Sequence, residues 1–244
     1  MNGIEERYHT VLSKIYHAAQ QANRQPQGIT LVAVTKTWPV EVILAAYTAG
    51  MRHFGENRAE ELAEKRPLVE AKLGPDSGIV WHFIGSLQSR KTNLIADYAD
   101  VFHALDRVKI ANRLSSRLQE NGRSLPIFIE VNVSGEASKS GVTLINWEED
   151  TTQREKLRKL WAAVHELPGL SLQGLMTMAP WHVPEAEIRQ VFDHAKQLAG
   201  WLENELGLKR PLALSMGMTD DYELAIAAGA THIRVGRALF GERH

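Results

Sequence analysis

The sequence predicts a single α/β domain, a (β/α)8 barrel of the TIM type with one additional helix ahead of its first strand. Two observations carry this expectation. Short apolar, β-branched runs alternate with amphipathic or polar helical stretches along the whole chain, giving eight strands, and that alternation specifies parallel strands covered by helices. The length of 244 residues also matches the roughly 250 that one barrel needs. No low-complexity tract or linker interrupts it, so residues 1–244 read as one domain.

Taken in order, Ile4, Tyr8, Val11, Leu12, Ile15 and Ala19 recur at spacings of three and four, which predicts an amphipathic helix over residues 3–24, ended near Pro26 and Gly28. It is the additional element, placed to cover the bottom or side of the barrel. Residues 29–38, ITLVAVTKTW, form the first strand. Five of the seven residues before Lys36 are apolar and the other two are threonines, the composition of a strand buried on both faces. A helix follows from Pro39 to Ala49, with Gly50 as its stop. The unit then recurs, with strands at 52–55, 80–84, 101–104, 127–133, 170–178, 212–216 and 231–235 and helices at 59–73, 89–96, 107–120, 154–166 and 185–206. Charges at 60–65 and 154–159 read as solvated helix faces. Two loops, GPDSG at 74–78 and SGEASKSG at 134–141, are rich in small polar residues, and the second falls on the rim formed by the carboxyl ends of the strands.

Composition narrows the function. Hydrophobic residues make up 44 % and charged residues 23 %, which supports a large core without staples. A net charge of −1 provides no electrostatic footprint for nucleic acid or an anionic membrane. The absence of cysteine excludes disulfides, thiolate metal sites and cysteine nucleophiles. Ten histidines occur without HxxxH or HxH spacing, so no metal site is expected, and GxSxG, Walker A and dinucleotide fingerprints are absent. The first twenty residues do not resemble a signal peptide and no apolar run approaches spanning length, so a cytoplasmic location is expected.

Candidate site residues follow from the rim of the barrel, where loops leaving the strands build ligand sites. Lys36 ends the first strand among apolar neighbours, which lower an amine's pKa and free it as a nucleophile toward carbonyls; a solvent-facing lysine is the alternative. Alternation puts Val32 and Val34 on the face of Lys36, with Ala33 and Thr35 opposite. In the last strand it groups His232, Arg234 and Gly236 inward and turns Ile233 and Val235 toward the helices. An inward Arg234 needs an acceptor, either a ligand or a salt bridge to Glu130. The turns SMGMT at 215–219 and VGRALFG at 235–241 follow strands seven and eight, the recurrent phosphate position of this architecture. Thr219 is placed to cap a helix starting near Asp220, and capping alone would explain TDDYE. His82, His103, Asn57, Asn132, Met176 and Met178 fall near strand ends, each individually compatible with ordinary packing.

A first-strand lysine, an inward arginine and paired glycine turns are the kit for pyridoxal phosphate (PLP). Through AVTKTWP, FGENRAEEL, WHFIGSLQSRK, IEVNVSGEASKSG, GLMTMAP and LSMGMTDDYELAIAAGATHIRVGRALFG, the chain resembles the pyridoxal phosphate homeostasis proteins of the YggS/PROSC type, whose barrel belongs to the alanine racemase fold group. The resemblance implies that Lys36 forms the Schiff base with pyridoxal 5'-phosphate and that Arg234 faces the pyridine nitrogen. It assigns Ser215, Met218, Thr219, Gly236 and Arg237 to the phosphate region, Asn57 and Met176 to the ring, and Lys139 to a second PLP contact or to handing the cofactor on. Trp38 departs from the family, which often has a lysine there. The implied role is intracellular vitamin B6 homeostasis, buffering PLP or delivering it to apo PLP-dependent enzymes, with no catalytic residue and a monomeric state. Racemases of the fold group take a second base, a tyrosine, from an added β domain, for which eight residues after Gly236 leave no room. The alternatives are a weak PLP-dependent racemase or lyase and a cofactor-free Schiff-base aldolase acting on a phosphosugar.

Overall fold

The computed structural model describes residues 3–136 and 139–242. Eight parallel strands close a barrel: β1 (Thr30–Val34), β2 (His53–Glu56), β3 (Val80–Phe83), β4 (Val101–Leu105), β5 (Leu125–Asn132), β7 (Leu170–Met176), β8 (Ala213–Ser215) and β9 (His232–Val235). Each pairs with the next, and β1 pairs with β9 in the register Val32 to Arg234 and Ala33 to Val235, which completes the ring. The expected barrel is therefore present. A further two-residue strand, β6 (Val142–Thr143), lies beside the end of β5 through Val131 and Asn132, and nothing in the apolar patterning of the sequence marks it.

Helices α2 (Val40–Thr48), α3 (Ala59–Leu73), α4 (Thr92–Tyr98), α5 (Val108–Glu120), α6 (Thr151–His165), α7 (Glu185–Leu206), α8 (Tyr222–Ala228) and the short α9 (Arg237–Phe240) follow the strands. Helix α6 starts three residues before its expected limit because the Asp150 side chain accepts from the Thr152 and Gln153 N–H groups, a cap that fixes the first turn. The leading helix α1 (Ile4–Gln21) carries Glu5 and Glu6 at its positive end and buries Ile4, Val11, Ile15, Ala18 and Ala19. It packs on α8 and α9, so it covers the side of the barrel next to the last two strands. The chain leaves it earlier than expected, with Asn23 at φ 54.

Alternation along the strands holds. Ala33, Ile233 and Val235 are fully buried in the apolar layer between strands and helices. The barrel interior is unusually polar, with His82, His103, Glu130, Asn132, Ser215 and Arg234 all buried. Among the described residues no helix is long and apolar enough to cross a membrane.

Candidate functional site

The turn after β1 presents Lys36. The Trp38 N–H donates to the Thr35 carbonyl at 3.0 Å, closing a four-residue turn with Lys36 and Thr37 at its centre. This places Thr37 at φ 68, a left-handed conformation that costs a residue bearing a Cβ about 1–2 kcal/mol. Helix α3 holds the turn in that shape. Glu61 Oε2 accepts the Thr37 N–H at 2.8 Å, and Lys65 Nζ donates to the Thr35 carbonyl (2.9 Å), Glu56 Oε1 (2.9 Å) and Glu61 Oε2 (3.0 Å). Thr35 Oγ1 donates to the same Glu56 oxygen at 2.8 Å. Lys65 is only 8 % exposed, so the helix face read as solvated instead contributes a buried cation, drawn inward by Glu56. Burial pushes the Glu56 carboxyl up to about 7 against the pull of Lys65.

At the mouth of the barrel lies a cavity of about 610 Å³ lined by Lys36, Asn57, Met218, Thr219, Arg234, Gly236 and Arg237, together with Val34. Trp38, Met178, Trp181 and Ile188 form its apolar rim, and Trp181 is 61 % exposed. Asn57 is held close by Gly85, where a Cβ would stand 2.1 Å from the Asn57 carbonyl oxygen. Gly217 has φ 96 and tolerates no side chain against Ala225, so the SMGM turn depends on it.

Arg234 enters the cavity from below and is 4 % exposed. Its Nη1 donates to Ser215 Oγ at 2.7 Å and its Nη2 to the Thr177 carbonyl at 3.0 Å. Among the described residues no carboxylate forms an ion pair with it, so the alternative of a salt bridge to Glu130 is not realised. Burial lowers its pKa to about 10, with Asp221 and Glu130 opposing through space. Glu130 itself is pushed up to about 7 by burial and by Asp106.

Two residues expected to touch a ligand stand back from the cavity wall. Ser215 is fully buried behind Arg234, and Met176 is 1 % exposed within the barrel. The capping expectation also changes. Helix α8 begins at Tyr222, Thr219 Oγ1 accepts from the Gly236 N–H at 3.4 Å, and Asp221 Oδ1 takes the Met218 N–H. Thr219 thus ties the two glycine turns together. Arg237 pairs with Asp220 and, at 3.5 Å, with Glu242 on the outer rim. Lys139 donates to the Met178 carbonyl at 2.7 Å and pairs with Glu136 at 3.3 Å, which fastens its loop to the cavity rim; burial lowers its pKa.

Sequence reasoning missed the histidines as a group. His53, His82 and His103 are joined nitrogen to nitrogen inside the barrel and end at Ser215. Their only sequence signal is alternation, which puts one histidine on each of three successive strands.

Residues 11–244 match the family model described as alanine racemase, N-terminal domain. The chain is 42 % identical over 247 residues to the pyridoxal phosphate homeostasis protein of Escherichia coli (strain K12), covering 100 % of this chain and 98 % of that one. The structure of PipY of Synechococcus elongatus with PLP bound is similar, with a TM-score of 0.79 and 34 % identity over 98 % of this chain and 100 % of that chain. An alanine racemase of Clostridium difficile shares the fold at 13 % identity and a TM-score of 0.68, with 100 % of this chain matching 57 % of that one.

Proposed function

The chain belongs to the alanine racemase N-terminal-domain family and, within it, to the pyridoxal phosphate homeostasis proteins; on that premise we propose that it binds pyridoxal 5'-phosphate through a Schiff base on Lys36 and buffers or delivers it without catalytic turnover. The observation that carries this reading is the meeting of two donors in one cavity, the amine of Lys36 at its rim and the buried guanidinium of Arg234 at its floor. Bound there, the cofactor supplies an aldehyde for covalent attachment to the amine. Arg234 is a donor that keeps its proton, so it leaves a facing pyridine nitrogen unprotonated and weakens the ring as an electron sink. Thr219, Gly236 and Arg237 fit the phosphate. The first amides of α9 have no acceptor within that helix, and Thr219 joins the two turns.

Absence of turnover is supported by the relatives' name and by the cavity lining, in which no tyrosine stands among the described residues. Tyr222 is 3 % exposed in the apolar core. The open rim around Trp181 favours exchange of the cofactor over sequestered chemistry. The protein is proposed to act as a cytoplasmic monomer that passes the cofactor to apo PLP-dependent enzymes, with Lys139 near the exit.

Visible absorption with added pyridoxal phosphate tests the reading. The natural protein is expected to develop a Schiff-base band that Lys36→Ala loses or strongly shifts; no band in either protein overturns it. The holoprotein is expected to exchange no amino-acid α-proton with deuterated solvent, and exchange would make it an enzyme.

A further inference from the structure

Below the cavity runs a hydrogen-bonded chain to which the proposed function assigns no role. His53 Nδ1 lies 2.9 Å from His82 Nε2, His82 Nδ1 lies 2.8 Å from His103 Nε2, and His103 Nδ1 lies 2.8 Å from Ser215 Oγ. Arg234 Nη1 donates to the same Ser215 oxygen at 2.7 Å. His82 and His103 are buried, while His53 is half-buried at the start of β2. His103 also stacks on Phe128 with centroids 4.6 Å apart, which locks its ring plane.

Proton counting fixes the chain's state. Burial holds His82 and His103 well below the ordinary imidazole range, so each ring is neutral, with one N–H and one lone pair. Each contact needs one of each, so all the hydrogens must point the same way along the chain. Direction is set at its end. Arg234 has only donors, so the Ser215 oxygen must present a lone pair to it, and the cation repels the hydroxyl hydrogen toward His103. Ser215 therefore donates to His103 Nδ1, His103 Nε2–H donates to His82 Nδ1, and His82 Nε2–H donates to His53 Nδ1.

We propose that His53, His82 and His103 are positioning residues: an ordered relay of Nε2–H imidazoles that aims the Ser215 lone pair at Arg234 and so holds and orients the guanidinium at the cavity floor. The relay's aligned dipoles turn their negative ends toward Arg234, a buried cation with no ion pair among the described residues. Its bearing on the ligand ring rests on the PLP reading given above; the relay itself does not.

The test has two parts. In ligand-free protein labelled with nitrogen-15 at histidine, long-range proton–nitrogen spectra are expected to show His82 and His103 protonated at Nε2, with an unprotonated, hydrogen-bonded Nδ1. Protonation at Nδ1, or a charged ring, overturns the relay, whether or not the protein binds cofactor. In the second part, His103→Leu is compared with His103→Asn, whose amide oxygen can take the Ser215 hydroxyl. With added pyridoxal phosphate, the leucine variant is expected to bind about tenfold more weakly, with a shifted visible band, and the asparagine variant to recover most of the affinity. Unchanged affinity and band in folded His103→Leu overturn the positioning role. A band that is absent even from the natural protein, with Nε2–H tautomers intact, sinks the PLP reading and leaves the relay standing.

Discussion

Thr37 holds the left-handed centre of the turn that presents Lys36, a place where glycine would be free of strain. Strain at such a position is maintained by its surroundings, here the Glu61 carboxylate and the Lys65 ammonium. Thr37→Gly is therefore expected to raise stability by up to about 1 kcal/mol in urea unfolding, the relieved strain being partly offset by greater freedom of the unfolded chain. A lower urea midpoint would mean that the threonine side chain contributes more than its backbone costs. At this scale the residues legible in the sequence were those that announce themselves locally. Lys36 closes an apolar run, and Arg234 follows from alternation along a strand bounded by glycine turns. Thr37 gave no signal, because its strain arises from a turn closed by groups on another element.

Helix α3 shows why the helices were harder to read than the strands. Glu60, Glu61, Glu64 and Lys65 form a charged stretch that periodicity assigns to solvent, yet Lys65 reaches inward because Glu56 at the end of β2 is fully buried and requires a cation. Removing one partner leaves the other stranded. Lys65→Met is expected to cost about 3–5 kcal/mol in urea unfolding, and the double substitution Glu56→Gln with Lys65→Met distinctly less. Additive losses would show that the two groups act independently. The single mutant should also bind pyridoxal phosphate more slowly, since the turn that aims Lys36 loses its brace. The histidine relay was illegible for a related reason. Its members are separated by 29, 21 and 112 residues; pairing of neighbouring strands brings the histidines together, and closure of the barrel brings Ser215 to them.

For the whole molecule, the polar interior makes stability depend on pH in a predictable form. His82, His103 and His232 are neutral when folded, His232 titrating at about 4 instead of 6.5, so their contribution is present above 6.5 and lost as pH falls. Glu56 and Glu130 titrate at about 7 instead of 4.5, so theirs is present below 4.5 and lost as pH rises through 7. Between pH 6.5 and 4.5 the unfolded chain gains protons on three histidines and the folded chain on two carboxyls. Unfolding free energy should therefore fall only gently with falling pH there, and more steeply below 4.5, where the unfolded chain takes up protons on those carboxyls as well and they no longer offset the histidines. Urea titrations across that boundary check the break in slope, and a single uniform slope would contradict it. The overall fold was the most legible feature, because eight alternations of strand and helix admit few topologies, whereas β6 is too short to leave a pattern. The rim also has an optical consequence. Trp38 and Trp181 flank the mouth as excited-state donors, so a chromophore seated at Lys36 should drain their emission by resonance transfer. Loading and unloading would then be visible in the protein's own fluorescence, without an external dye, and the same signal would time the departure of its cargo toward an acceptor.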